Sequence, residues 1–151
     1  MNDLVLVTEA TRYRRARELL NKAKAALPKA YAPYSKFAVA AAVRVADGKV
    51  YVGVNVENAS YGLTICAERS AVFAAITQGA RKINAVAIVS AAGGICLPCG
   101  ACRQVISEFA DAGTEFFFET SDGEPLQINL DGLLPHPFGP KHLEEAAARA
   151  T

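Results

Sequence analysis

Four cysteines occur in 151 residues, and three of them, Cys96, Cys99 and Cys102, fall within seven consecutive positions. The fourth, Cys66, lies some thirty residues upstream. Both cysteine segments follow extended chain and both open a helix-forming run, so a fold that uses them together must bring two helix starts to one place. The opening residues carry an early Asp3 and show neither a basic stretch nor a small-residue cleavage site, which reads as no export signal. A cytoplasmic address is expected on that basis. In a reducing compartment, cysteines clustered this way point to metal more than to crosslinks.

The rest of the chain supplies a scaffold. With 52% hydrophobic and 21% charged residues it has the apolar mass for a packed core, and one domain spanning residues 1–151 is expected. A net charge of +1 creates no global field toward a polyanion, which speaks against a nucleic-acid partner. The longest uncharged apolar stretch, residues 37–43, is far too short to cross a bilayer, so no membrane association is expected.

Periodicity places a first amphipathic helix over residues 8–27, with Tyr13, Ala16, Leu20, Ala23 and Leu27 on one face and Pro28 as its stop. Residues 37–45 and 50–56 flank Asp47-Gly48, a two-residue hairpin signal. A second helix runs from Ala67 to about Gln78, burying Val72, Phe73 and Ile76 and ending at Gly79. Residues 85–90 form a continuous apolar run, read as a buried strand. A third helix opens near Gly100 with Cys102, Val105, Ile106 and Phe109 on one face. Strands at 115–119 and 126–128 follow, and a frayed helix is expected from about Lys141. The order predicts an α/β fold, a three-layer α/β/α sandwich around a mixed sheet of about five strands.

Cys99 and Cys102, three residues apart at a helix start, can aim both sulfurs at one ion, and Cys66 offers a third from the start of another helix. The positive dipole ends and unpaired N–H groups there favour thiolate. Three thiolates without a fourth protein ligand leave an open zinc position, where water turns to hydroxide near neutral pH. Glu68, two residues after Cys66, stands where a carboxylate could take and return that proton. Arg69 is positioned to donate to sulfur and offset the negative charge of the thiolates, whereas Arg103 is left undecided between sulfur and solvent. His136 and His142 have no motif partner. The competing reading is a closed four-cysteine zinc site or an iron–sulfur cluster, and Cys96 discriminates these from the open three-cysteine site.

Cys66-Ala67-Glu68-Arg69, followed by Pro98-Cys99-Gly100-Ala101-Cys102-Arg103-Gln104, closely resembles the small, homotetrameric, zinc-dependent cytidine deaminase family. Tyr34-Ser35-Lys36-Phe37 and Asn55-Val56-Glu57-Asn58 extend the likeness, which covers residues 31–138. The resemblance implies one zinc ion per chain on Cys66, Cys99 and Cys102, with Glu68 as proton shuttle. It implies Phe37 against the pyrimidine, Asn55 and Glu57 on the ribose hydroxyls, and the backbone of Ala67 at the base. It further implies that Ala59 and Tyr61 reach a neighbouring subunit's nucleoside, with Phe138 closing over its ring. The implied activity is hydrolytic deamination of cytidine and 2′-deoxycytidine in pyrimidine salvage. Read without the family, Phe37 suits a core position, Glu57 a solvent-facing strand end, Asn58 a turn, and Phe138 a loop aromatic on its own subunit. Glu57 and Asn58 argue against the related deaminases of cytosine-bearing antibiotics. Two departures from the family pattern stand out: Ala40, where glycine is frequent, and the extra Cys96.

Overall fold

A computed structural model describes residues 4–150; residues 1–3, including the early Asp3, and residue 151 lie outside the described residues. One of its inner strands is apolar on both faces. Strand β2 (Val39–Val45) carries Val-Ala-Ala-Ala-Val-Arg-Val and is buried throughout except at Arg44, the pattern of a strand covered by helices above and below. It pairs antiparallel with β3 (Val50–Val54) on one side and β4 (Ile83–Ser90) on the other. Beyond β4 lie β5 (Glu115–Glu119), parallel to it, and β6 (Pro125–Asn129), antiparallel to β5. The mixed sheet therefore matches expectation except in its count. It has six strands, ordered β1-β6-β5-β4-β2-β3. The additional β1 is Val5–Leu6, two residues paired with Gln127 and Leu126. Two exposed residues are too few to leave a period in the sequence, and only tertiary pairing makes them a strand.

One face of the sheet is covered by α1 (Ala10–Ala26), capped by the Glu9 carboxylate, which accepts from the N–H groups of Thr11 and Arg12 at 2.8 and 2.7 Å. Its Ala16, Leu19, Leu20 and Ala23 pack on Ala40, Ala42, Ala85, Ala87 and Phe117. A floor of alanines lets the helix lie close, and the methyl of Ala40 is part of that packing. Pro28 does not stop the chain abruptly: it sits inside a 3-10 turn, Leu27–Lys29. The other face carries α2 (Ala67–Thr77) and α3 (Gly100–Ser107), whose Ala71, Val72, Ala75 and Ile106 pack on Val43, Val86, Ile88, Phe116 and Phe118. Two expected burials shift. Phe73 is 48% exposed because the helical period turns it away from Val72 and Ile76, and Phe109 lies past the end of α3, half-buried against the core. The hairpin loop closes over Ala46, Asp47 and Gly48 instead of two residues, with Val45 N–H donating to the Lys49 carbonyl at 3.0 Å. The short α4 (Leu130–Leu133) follows β6, and α5 (Pro140–Arg149), exposed along its length, ends the described chain. Among the described residues no helix is long and apolar enough to cross a membrane.

β3 and α2 approach each other backbone to backbone. A Cβ on Gly53 would stand 2.2 Å from the Ala71 nitrogen and 2.6 Å from the Ala67 carbonyl oxygen. Backbone rests on backbone there, so any side chain must push α2 off the sheet. Gly53→Ala is expected to cost about 3 kcal/mol, at the upper end of overpacking penalties, measured as the shift of the urea midpoint. Val52→Ala, one residue away and half exposed, should stay within about 1 kcal/mol.

Candidate active site

The two cysteine segments converge because α2 and α3 lie on the same face of the sheet with their N-termini together. Cys66 is the N-cap of α2 and Cys99 the N-cap of α3, both in extended conformation. Each sulfur therefore sits where backbone N–H groups lack helical partners. The Sγ atoms of Cys66 and Cys99 are 3.8 Å apart and those of Cys99 and Cys102 3.5 Å, and all three lie within 4.8 Å of one another. Sulfurs about 2.3 Å from a tetrahedral zinc stand about 3.8 Å apart, so this spacing fits the ion. Cys96 does not join the group. Burial, aided by the charges of Glu68 and Cys66, pushes its thiol up to about 11. What the fold gathers is an open three-sulfur set, not a closed four-cysteine one.

Cys66 is favoured as thiolate. Its hydrogen bond to Cys102, followed by those to Arg69 and Cys99, lowers it to about 5 against the opposing effect of burial. Cys102 is pushed up by the same pairing and by burial; a cation bound by the three sulfurs would displace the protons they hold. Arg69 Nη2 lies 3.5 Å from the Cys66 sulfur, while its Nε is buried without a hydrogen-bond partner. An orphaned guanidinium N–H beside three sulfurs is a donor in need of more negative charge, which a fully deprotonated triad supplies. Arg103 turns elsewhere, donating from Nε to the Pro98 carbonyl and from Nη1 to the Leu133 carbonyl, both at 2.8 Å.

Glu68 is only 4% exposed, and desolvation foremost, with the neighbouring Cys66 charge, raises its pKa. A carboxyl biased toward its protonated form is suited to giving a proton as well as taking one. It shares a cavity of about 590 Å³ with Cys66, Ala67 and Cys99 on one side and Phe37, Asn55 and Glu57 on another. Asn55 Oδ1 accepts from the Val39 N–H at 2.9 Å, and its Nδ2 donates to the Phe37 carbonyl at 2.8 Å. Glu57 accepts from the Tyr34 N–H at 2.9 Å, the Ser35 N–H at 3.1 Å and the Ser35 hydroxyl. That hydroxyl is the main reason its pKa is lowered. Both residues thus build the loop that carries Phe37, a duty the sequence did not reveal.

The remaining expected residues are more dispersed. Tyr61 is 74% exposed, lines this same cavity, and has its ring 5.8 Å from that of Tyr34. Ala59 is exposed and outside the lining. Phe138, 57% exposed, is also outside it and stacks on His142 at 5.1 Å. His142 caps α5 by accepting the Gly139 N–H on Nδ1 at 3.1 Å. Thr64 and Leu97 line the cavity without having been singled out, and Ser35, quoted only as part of the Tyr34–Phe37 segment, lines it as well. The Ser35 hydroxyl two positions before Phe37 was the one readable signal among them.

This geometry meets known proteins closely. The family model for the cytidine and deoxycytidylate deaminase zinc-binding region matches residues 13–117. A cytidine deaminase of Sporosarcina psychrophila is 42% identical over 130 residues, covering 86% of this chain and 96% of its own length. One from Mycobacterium tuberculosis is 46% identical over 111 residues, covering 73% of this chain and 79% of its own. The crystal structure of cytidine deaminase from Burkholderia pseudomallei aligns with a TM-score of 0.75 at 47% identity, covering 81% of this chain and 98% of that one. A three-sulfur site at two helix starts, a buried glutamate beside it and these matches place the chain in the cytidine and deoxycytidylate deaminase zinc-binding family.

Proposed function

We propose that this chain hydrolyses cytidine and 2′-deoxycytidine to uridine and 2′-deoxyuridine with release of ammonia. The observation that carries the reading is a buried Glu68 in one cavity with a three-sulfur metal set and with the amide and carboxylate of Asn55 and Glu57. Cys66, Cys99 and Cys102 hold one zinc ion per chain, which when bound supplies a Lewis acid that makes water nucleophilic near neutral pH.

The chain's own groups do the rest. Glu68 takes a proton from the water that adds to C4 and delivers it to N3. It then carries the proton of the new C4 hydroxyl to the amino group as the C4–N bond breaks, leaving the carbonyl of uridine and free ammonia. Phe37 packs on the pyrimidine, Asn55 and Glu57 engage ribose hydroxyls, and the backbone at Ala67 meets the base. Arg69 keeps the sulfurs anionic and offsets their charge beside the reacting ring.

We further assign the chain a single domain, a place in cytoplasmic pyrimidine salvage, and a homotetramer in which Ala59, Tyr61 and Phe138 reach the nucleoside of a neighbouring subunit. The exposure of the Tyr61 and Phe138 rings supports that last assignment, because large aromatic surface left open on one chain is the material of interfaces.

Two substitutions test the reading. Glu68→Gln should keep its zinc and fold while cytidine turnover, followed by ultraviolet loss, falls by at least the roughly 10²–10⁴ that acid–base catalysis contributes. Near-normal turnover removes Glu68 from the reaction. Cys96→Ser should retain one zinc per chain by metal analysis and full activity, whereas loss of the metal would restore the four-cysteine reading.

A further inference from the structure

Helix α3 has a second side. Cys102 faces the other sulfurs, but the next two residues reach toward the C-terminal segment. Arg103, whose Nε already holds the Pro98 carbonyl beside Cys99, places Nη1 2.8 Å from the Leu133 carbonyl. Gln104 Nε2 donates to the Phe138 carbonyl at 2.8 Å. Residues 133–138 are thus tied at both ends to one turn of a metal-ligand helix. Pro135 and Pro137 inside the segment have no N–H to give, so it cannot be held by a regular backbone ladder. The side chains of α3 do that work instead. Beyond the tie, the Phe138 ring stacks on His142, whose Nδ1 accepts the Gly139 N–H, and the ring is presented outward from its own chain.

We propose that Gln104 is a positioning residue for Phe138: its hydrogen bond to the Phe138 carbonyl holds that ring in the posture that closes over a nucleoside. This rests on the reading of Phe138 given above and adds how the ring is held. Without the bond the segment samples other postures, and the apparent affinity falls with the fraction that remains competent. Glu68 and the three cysteines stay in place, so the chemical step is untouched.

The test is a double-mutant cycle on the zinc-loaded enzyme, reading KM and kcat for cytidine, zinc content and melting temperature. Gln104→Ala and Gln104→Glu both lack the N–H donor. Each should raise KM roughly three- to tenfold, the scale of one lost hydrogen bond, with kcat within about twofold and one zinc retained. In a Phe138→Ala background, Gln104→Ala should add nothing to KM. An equal KM increase in both backgrounds overturns the proposal, because Gln104 would then act by another route. So does an unchanged KM in the Gln104 variants while Phe138→Ala raises it. If Phe138→Ala alone leaves KM unchanged, the assignment of Phe138 fails first, and this single variant shows it. The glutamate variant, of the same shape at an exposed position, carries the cycle if the alanine variant does not fold.

Discussion

Glycine at position 53 lets two backbones touch, and the site depends on that contact. The N-terminus of α2 carries Cys66 and Glu68, and its height above the sheet sets how far Cys66 stands from the sulfurs of α3. With Ala67 and Ala71 resting directly on β3, there is no flexible side chain in between to absorb error. Sulfurs 3.5–3.8 Å apart tolerate little drift before a tetrahedral ion no longer fits them. The small residue on the strand and the small residues on the helix therefore belong to the metal site as much as the ligands do. They hold the first partner where the second can find it.

The electrostatics follow from the same proximity. Three sulfurs and a buried carboxylate in one place repel one another, and each raises the cost of ionising the next. The structure resolves this unequally. Cys66 takes the charge because Arg69 and its neighbouring thiols donate to it, and Glu68, nearly without solvent, is pushed toward the protonated form. A cation on the sulfurs relieves that repulsion, so metal occupancy and the proton affinity of Glu68 are linked. A proton carrier has to be able to exist in both states, and this arrangement keeps Glu68 away from the ordinary solvent-exposed limit.

Chemistry was legible in the sequence where it is local, and illegible where it depends on distant packing. Cys99 and Cys102 on one helical turn, and Glu68 two residues from Cys66, have their relation fixed by helix geometry alone. The hydrophobic runs of β2 and β4 and the stop at Gly79, with its φ of +93°, follow from equally short-range rules. Arg103 could not be assigned because its partners, the Pro98 and Leu133 carbonyls, are chosen by how α3 lies against the C-terminal segment. Gly53 left no signal for the same reason, since a glycine in a strand says nothing of the helix that crosses it. Strand β1 exists only because β6 offers an edge, and Phe73 was misplaced because an apolar residue one position from the core face still looks like a core residue.

The double duty of Asn55 and Glu57 limits what they can offer a ligand. Asn55 spends one Nδ2 hydrogen on the Phe37 carbonyl and part of Oδ1 on the Val39 N–H, leaving one N–H. Glu57, already accepting from Tyr34, from the Ser35 backbone and from the Ser35 hydroxyl, retains acceptor capacity and has no hydrogen to give while ionised. Together they present one donor beside one acceptor, which is what a single hydroxyl needs in order to accept from one and donate to the other. On the proposed reading a ribose hydroxyl meets both groups, and the 3′-hydroxyl is present in cytidine and 2′-deoxycytidine alike. On that reading a sugar lacking it leaves the spare Asn55 N–H and the remaining Glu57 acceptor capacity unmatched, a larger loss than that of a missing apolar contact. On that reading the residues that hold the Phe37 loop in place are also the ones that meet the sugar, so the support of the base and of the sugar is one structure.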